Sequence, residues 1–377
     1  MEFTKSDTQK VKGIAILFLI FHHLFLDASR YKGFDIDFSI FSEEYINTLA
    51  RNMKICVAMF TFLSAYGIAY SYLKKNREML PSEISITVLR RYIKLISGFA
   101  FVVVLIILFS FIMGQNRFTE CYGTGIESVL YFMVDLAGLS QIFHTPPLIA
   151  TFWYMSLAVI IILIMPVLIS IYKKYGAIVL LGLGIVFSML FPVHVKNAYE
   201  SGSHAFLPVY IICIVAGIIC VDKKIFESIY KFFLKNGDEK VGNVLKFFVF
   251  ATLLLFMLRL RIKVLSRGIF PTYEAIITVL LIGFIFLYIN KIPVLSDALQ
   301  FLGTYSMNMF LIHNFIRVVW FYDFTYGFEN IFIIYAVLVA ISLIVSVIIE
   351  KVKTIIRYDV LVDDIIKKLE TGINKQR

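Results

Sequence analysis

Two adjacent histidines, His22 and His23, stand in an otherwise apolar run from Gly13 to Phe25. An imidazole is the side chain best suited to taking and returning a proton near neutral pH. At bilayer depth any ionisable group is costly enough to mark a functional site by default. Lys12 precedes His23 by eleven residues, which in a helix returns to within about 20° of the same face and lies about 16 Å lower along the axis. Asp27, four residues beyond His23, is expected on the same stripe, where a carboxylate would hold the imidazole tautomer and raise its basicity. His22 points away from that stripe by roughly 100°. A competing reading has Lys12 snorkelling at the inner interface, Asp27 opening an outer loop and the histidine pair bonding a neighbouring helix.

Such a stripe needs a membrane-crossing helix, and the composition supplies several. Hydrophobic residues make up 60% and charged residues 16% of the 377 residues, with a mean hydropathy of +0.85; soluble domains run near half and a quarter. A soluble enzyme with one anchor, a disordered chain and a disulfide-stapled secreted domain are excluded. Apolar runs of about 20 residues predict spans over 11–27, 54–73, 95–113, 151–171, 177–192, 206–221, 244–260, 272–290, 299–320 and 330–349. The fold expected is an all-α polytopic bundle of about ten spans. The first run has no small-residue cleavage site after it and is expected to remain as a span.

An N-inside, C-inside path puts most of the 36 Lys and Arg in cytoplasmic segments. Among them are Arg90, Arg91, Lys94 and a short basic tail, 351–377, after a membrane domain of 1–350. The net charge of +10 then needs no nucleic acid. One group breaks the pattern: Arg259, Arg261, Lys263 and Arg267 follow the seventh span on the outer side, so either the path fails there or the cluster faces an anionic ligand. In the large outer loop 114–150, the piece Val129–Leu139 is amphipathic enough to lie in the interface. Cys56, Cys121, Cys213 and Cys220 form no Cys-x-x-Cys pair. His144, His194 and His204 are expected in outer loops facing solvent, without metal-ligand spacing, so no metal is expected.

Lys12-Gly13-Ile14-Ala15, with His23 beyond, resembles the first helix of the acyltransferase-3 family of integral-membrane O-acyltransferases, whose pattern is Arg-Gly-Ile-Ala followed by a His eleven residues after the Arg. Phe60-Thr61-Phe62-Leu63-Ser64-Ala65-Tyr66-Gly67 is similar to its second-span Phe-Phe-Leu-Ser-Gly-Tyr/Phe segment, with Ala65 where Gly is usual. Arg90-Arg91-Tyr92-Ile93-Lys94 looks like its Arg-x-x-Arg pair, Phe152-Trp153-Tyr154 like its Trp-Phe-Leu entry, and Gly303-Thr304-Tyr305-Ser306 through His313 like its late Ser-x-x-x-Tyr-Leu-x-His signature. Lys12 and Lys94 depart from the usual Arg; lysine keeps the charge and loses the bidentate fork. No SGNH-type esterase segment follows the last span, so the resemblance is to the bacterial surface-polysaccharide type.

The resemblance implies an O-acetyltransferase in a bacterial cytoplasmic membrane, moving acetyl from cytoplasmic acetyl-coenzyme A to a hydroxyl of a capsular or exopolysaccharide unit, free or lipid-linked, with no permanently bound cofactor. His23 would act as base or transient acyl carrier, with Asp27 behind it. Lys12, Arg90, Arg91 and Lys94 would meet the donor phosphates; plain positive-inside anchoring is the alternative for the arginines. Ser64, Tyr66, Tyr305 and Ser306 would line the channel or donate to the oxyanion, unless they bond neighbouring helices. Trp153 is either an interfacial belt residue or a sugar platform. His313 would orient the acceptor or make a structural hydrogen bond, and Arg259 and Arg261 would face the acceptor. A flippase for a glycan lipid and a transferase of another acyl group such as succinyl remain as rival readings.

Overall fold

The computed structural model of the chain describes residues 2–74, 80–191, 206–234, 240–265 and 267–375. Sixteen α-helices account for most of them: α1 (Lys5–Phe25), α2 (Glu43–Met53), α3 (Ile55–Leu73), α4 (Pro81–Ile112), α5 (Arg117–Tyr122), α6 (Ile126–Leu136), α7 (Ser140–Phe143), α8 (Trp153–Leu190), α9 (Phe206–Asp222), α10 (Ile225–Leu234), α11 (Lys240–Val264), α12 (Phe270–Leu287), α13 (Pro293–Asn314), α14 (Tyr322–Tyr326), α15 (Ile331–Ile355) and α16 (Tyr358–Lys375). A six-residue π-helical stretch, Phe315–Trp320, continues α13.

Among the described residues, six helical stretches are long and apolar enough to cross a membrane: Glu43–Leu73, Pro81–Ile112, Ala150–Leu190, Gly242–Val264, Phe270–Lys291 and Ile331–Ile355. The chain is a multi-pass membrane protein. The expected ten divide differently for physical reasons. The runs 151–171 and 177–192 fall in one stretch that bends at Gly176, whose φ of 83° is open to glycine and strained for other residues. The run 206–221 is the short apolar helix Leu207–Asp222. Runs 11–27 and 299–320 fall on α1 and α13, where Lys10, Lys12, His22 and His23, or Asn308, His313 and Asn314, dilute the apolar character.

The chain divides into two compact units. The first comprises Met1–Lys74, Val167–Ser306 and Glu329–Tyr335; the second comprises Lys75–Pro166, Met307–Phe328 and Ala336–Arg377.

In the first unit α1 packs on α2 and α3, and α9 lies along α3 and α12. Helix α1 is started by a reciprocal cap: Thr4 Oγ accepts from Asp7 N at 3.2 Å, and Asp7 Oδ2 accepts from Thr4 N at 2.9 Å. Asp7 also accepts from Asn290 Nδ2 at 2.9 Å. Helices α1 and α13 touch backbone to backbone. A methyl group at Gly13 would strike the Leu299 carbonyl, and one at Gly303 the Gln9 carbonyl. Both glycines belong to the sequence motifs, and close helix approach in a membrane is the reason small residues stand there.

In the second unit α4 packs against α5, α6 and α16. Asp135, at the end of α6, ties a loop together by accepting from Tyr122 Oη and Leu148 N, each at 2.7 Å. Burial holds the Asp135 carboxyl above its usual value, against the lowering effect of those bonds. The expected amphipathic piece is helix α6, whose Ile126, Val129, Leu130 and Met133 are exposed, a face fitted to the bilayer interface. The basic tail forms the amphipathic helix α16, with Val362 and Ile366 buried.

Candidate active site

Both Lys12 and His23 lie within the unbroken helix α1, so the stripe read from periodicity exists. Between them on that face stand Ile16, fully buried, and Leu19, 4% exposed. The stripe is therefore covered by protein, and His23 and Lys12 are themselves half-buried. The neighbouring His22 is buried, and its Nδ1 lies 2.8 Å from the Ala50 carbonyl oxygen on α2. The two imidazoles meet edge to face with centroids 5.0 Å apart.

Asp27 does not continue the stripe. Helix α1 ends at Phe25, and Asp27 adopts an extended conformation with φ −162°. Its carboxylate accepts from Ser29 N at 3.0 Å and from the Ser29 hydroxyl, and lies 3.9 Å from Arg30 Nε. A short polar side chain capping its own turn has displaced the expected role of a carboxylate one helical turn above His23.

The basic group 259–267 also differs from its expected form. Arg259, Arg261 and Lys263 lie inside α11, the latter two in the last turn, where cations complement the helix dipole. Arg259 and Lys263 are exposed, as is Arg267 beyond the helix. Arg261 is sealed. Its Nε and Nη2 reach the two carboxylate oxygens of Glu274 at 2.6 Å each, with 1% and 0% of the two side chains exposed. Its Nη1 donates to the carbonyls of Arg51 and Asn52 at 3.3 Å. The signal for Glu274 was a lone carboxylate in the apolar run 272–290; its partner could be found only in three dimensions.

On α4 the proposed donor-binding cations carry partners from α16. Arg90 donates to Glu370 Oε1 from Nε at 3.0 Å and from Nη2 at 2.7 Å, and Lys94 Nζ lies 3.0 Å from Asp363 Oδ1. Tyr358 Oη adds a bond to the Ser97 carbonyl at 2.9 Å. Arg91 is half-buried on the same helix.

Several expected channel residues satisfy themselves within their helices. Ser306 donates to the Gly303 carbonyl at 2.8 Å. His313, fully buried, has Nδ1 at 2.8 Å from the Phe310 carbonyl and 3.1 Å from that of Met309. Tyr305 meets Phe301 edge to face, Tyr66 packs among Phe3, Phe62 and Phe226, and Trp153 meets Tyr154. Ser64 is half-buried. Arg317, in the π-helical stretch, is 3% exposed and donates to Asn314 Oδ1 at 3.0 Å and Tyr326 Oη at 3.2 Å, both neutral. Such stretches favour functional positions, and nothing in the spacing around Arg317 singles it out. His144 is exposed, whereas His194 and His204 lie outside the described residues. Among the described residues no three His, Cys, Asp or Glu side chains stand together to hold a metal.

A protein-family model described as an acyltransferase domain, that of acyltransferase 3, matches residues 11–351. No curated protein and no solved structure matches the chain.

Proposed function

From the premise that this chain belongs to the acyltransferase-3 family and is a membrane-bound acyltransferase, we propose that it moves an acetyl group from cytoplasmic acetyl-coenzyme A to a hydroxyl of a cell-surface glycan, in a bacterial cytoplasmic membrane. The observation that carries the reading is the α1 stripe, on which His23 stands half-buried above Ile16 and Leu19, both covered by protein. An imidazole on a helix face otherwise packed against protein fits proton transfer at depth.

In this reading His23 takes the proton of the acceptor hydroxyl as its oxygen attacks the thioester carbonyl. The carbon–sulfur bond breaks, and coenzyme A leaves as its thiol once the proton is returned. A variant of the same chemistry places the acetyl group briefly on the imidazole before the hydroxyl takes it. Lys12, at the foot of α1, and Arg90, Arg91 and Lys94 on α4 are assigned to donor phosphates; of these, the exposed Arg90 and Lys94 are able to trade a carboxylate for a phosphate. Asp27 is kept as a residue shaping the turn after α1 rather than a direct partner of His23. Ser64, Tyr66, Trp153, Tyr305, Ser306 and His313 remain assigned to the channel, and Arg259 to the acceptor. The termini and the tail 351–377 face the cytoplasm in this scheme.

Mass spectrometry of surface polysaccharide from cells with and without the gene tests the proposal. The expected result is loss of one acetyl group per modified repeat with export of the glycan intact. Loss of a heavier group such as succinyl redefines the donor, and loss of export with acetylation unchanged replaces the transferase by a flippase.

A further inference from the structure

We propose that Arg261 and Glu274 are positioning residues for the histidine pair on α1, acting through the C-terminal end of α2. The proposal rests on the reading of His23 as the reacting imidazole.

The chain of contacts lies within one compact unit. The Ala50 carbonyl can only accept, so His22 Nδ1, at 2.8 Å, carries the hydrogen and leaves the lone pair on Nε2. That fixes the tautomer and the plane of the ring that packs edge to face against His23. Ala50 lies in the last turn of α2, whose Arg51 and Asn52 carbonyls accept the N–H of the C-cap residue Lys54. Arg261 adds a second donor from outside the helix: its Nη1 donates to the same two carbonyls at 3.3 Å. The guanidinium is in turn held by both oxygens of Glu274 at 2.6 Å and rests over the Phe270 ring at 5.6 Å. Each of the three groups is thus oriented by the one behind it, from α12 through α11 and α2 to α1. A sealed ion pair is a poor way to gain stability, since apolar residues of similar volume do as well. A fixed guanidinium that clamps two backbone carbonyls does what no apolar residue can.

The test uses the full-length protein in native membranes, with labelled acetyl-coenzyme A as donor and membrane glycan as acceptor. Arg261→Met combined with Glu274→Leu removes both charges and strands neither. Arg261→Lys keeps the charge and loses the planar fork. In both variants kcat is expected to fall about tenfold or more with KM for acetyl-coenzyme A unchanged. The 15N spectrum of His22 is expected to pass from one Nδ1-protonated form to a mixture. Wild-type kcat with an unaltered His22 spectrum in Arg261→Lys overturns the proposal, even where the double variant fails to insert. His23→Ala, assayed in parallel, separates the two claims: acetylation retained there removes His23 from its role, while the His22 spectrum still decides whether Arg261 sets the ring.

Discussion

Arg261 meets Glu274 at 2.6 Å with 1% and 0% of the side chains exposed, whereas Arg90 meets Glu370 at 2.7 Å with 54% and 17%, and Lys94 meets Asp363 at 3.0 Å with 55% and 51%. Each region joins arginine or lysine to a carboxylate at nearly the same distance, yet burial gives them different capacities. Two sealed charges have given up their hydration, so neither can leave without stranding the other. Pairs open to water are worth about 0–1 kcal/mol and are screened by salt, so their cations can be handed to an incoming phosphate at small cost. The same residue types are thus fixed in one unit and open to exchange in the other.

The comparison is broken most directly by cutting one partner from each region. Arg261→Met alone is expected to cost about 3–5 kcal/mol, read as a large fall in Tm or loss of monodisperse protein in detergent. Arg90→Met is expected to cost at most about 1 kcal/mol. Equal losses in the two variants would erase the distinction.

A smaller effect concerns the donor. Arg90→Gln combined with Lys94→Gln is expected to raise KM for acetyl-coenzyme A about tenfold, equivalent to about 1.4 kcal/mol, while the helical circular dichroism is retained. Added salt is expected to raise the wild-type KM in the same direction and to change that of the double variant less. A KM indifferent to both would return these cations to simple membrane anchoring.

The smallest effect sharpens the rule that burial governs each charge. Burial raises the folded-state pKa of Asp135 above its ordinary value. The sign follows: the stability linked to this group is present below its unfolded pKa and is lost as pH rises through the folded value, where the buried carboxyl must ionise. Asp135→Asn keeps an oxygen for Tyr122 and Leu148 and is expected to flatten that decline in Tm. A wild-type Tm that rises over the same interval would show the hydrogen bonds outweighing burial.

How much was legible in the sequence follows from how local each feature is. The Lys12–His23 stripe follows from helical period alone, and α1 carries both residues without a break. Gly176 and the preceding lysines separated two expected spans where the helix bends. Helical period carried past Phe25 puts Asp27 on the stripe, whereas Asp27-Ala28-Ser29 is itself a turn signal that the structure realises. The bond from His22 to the Ala50 carbonyl, across 28 residues, left no trace in spacing. The charge of Arg261 alone leaves a failed membrane path and an anionic ligand as alternative readings, because nothing in the run 259–267 reveals which of its cations turns inward to Glu274. The carboxylates of α16 that meet Arg90 and Lys94 were equally hidden, since the tail lies 280 residues from Arg90 at Glu370.

The account stands most directly on the acetylation rate of His23→Ala measured in native membranes, with insertion verified by the amount of protein recovered. The expected result is normal insertion with transfer reduced by at least about 100-fold, the low end of what a positioned base contributes. Transfer at the wild-type rate from a normally inserted His23→Ala protein would contradict the account.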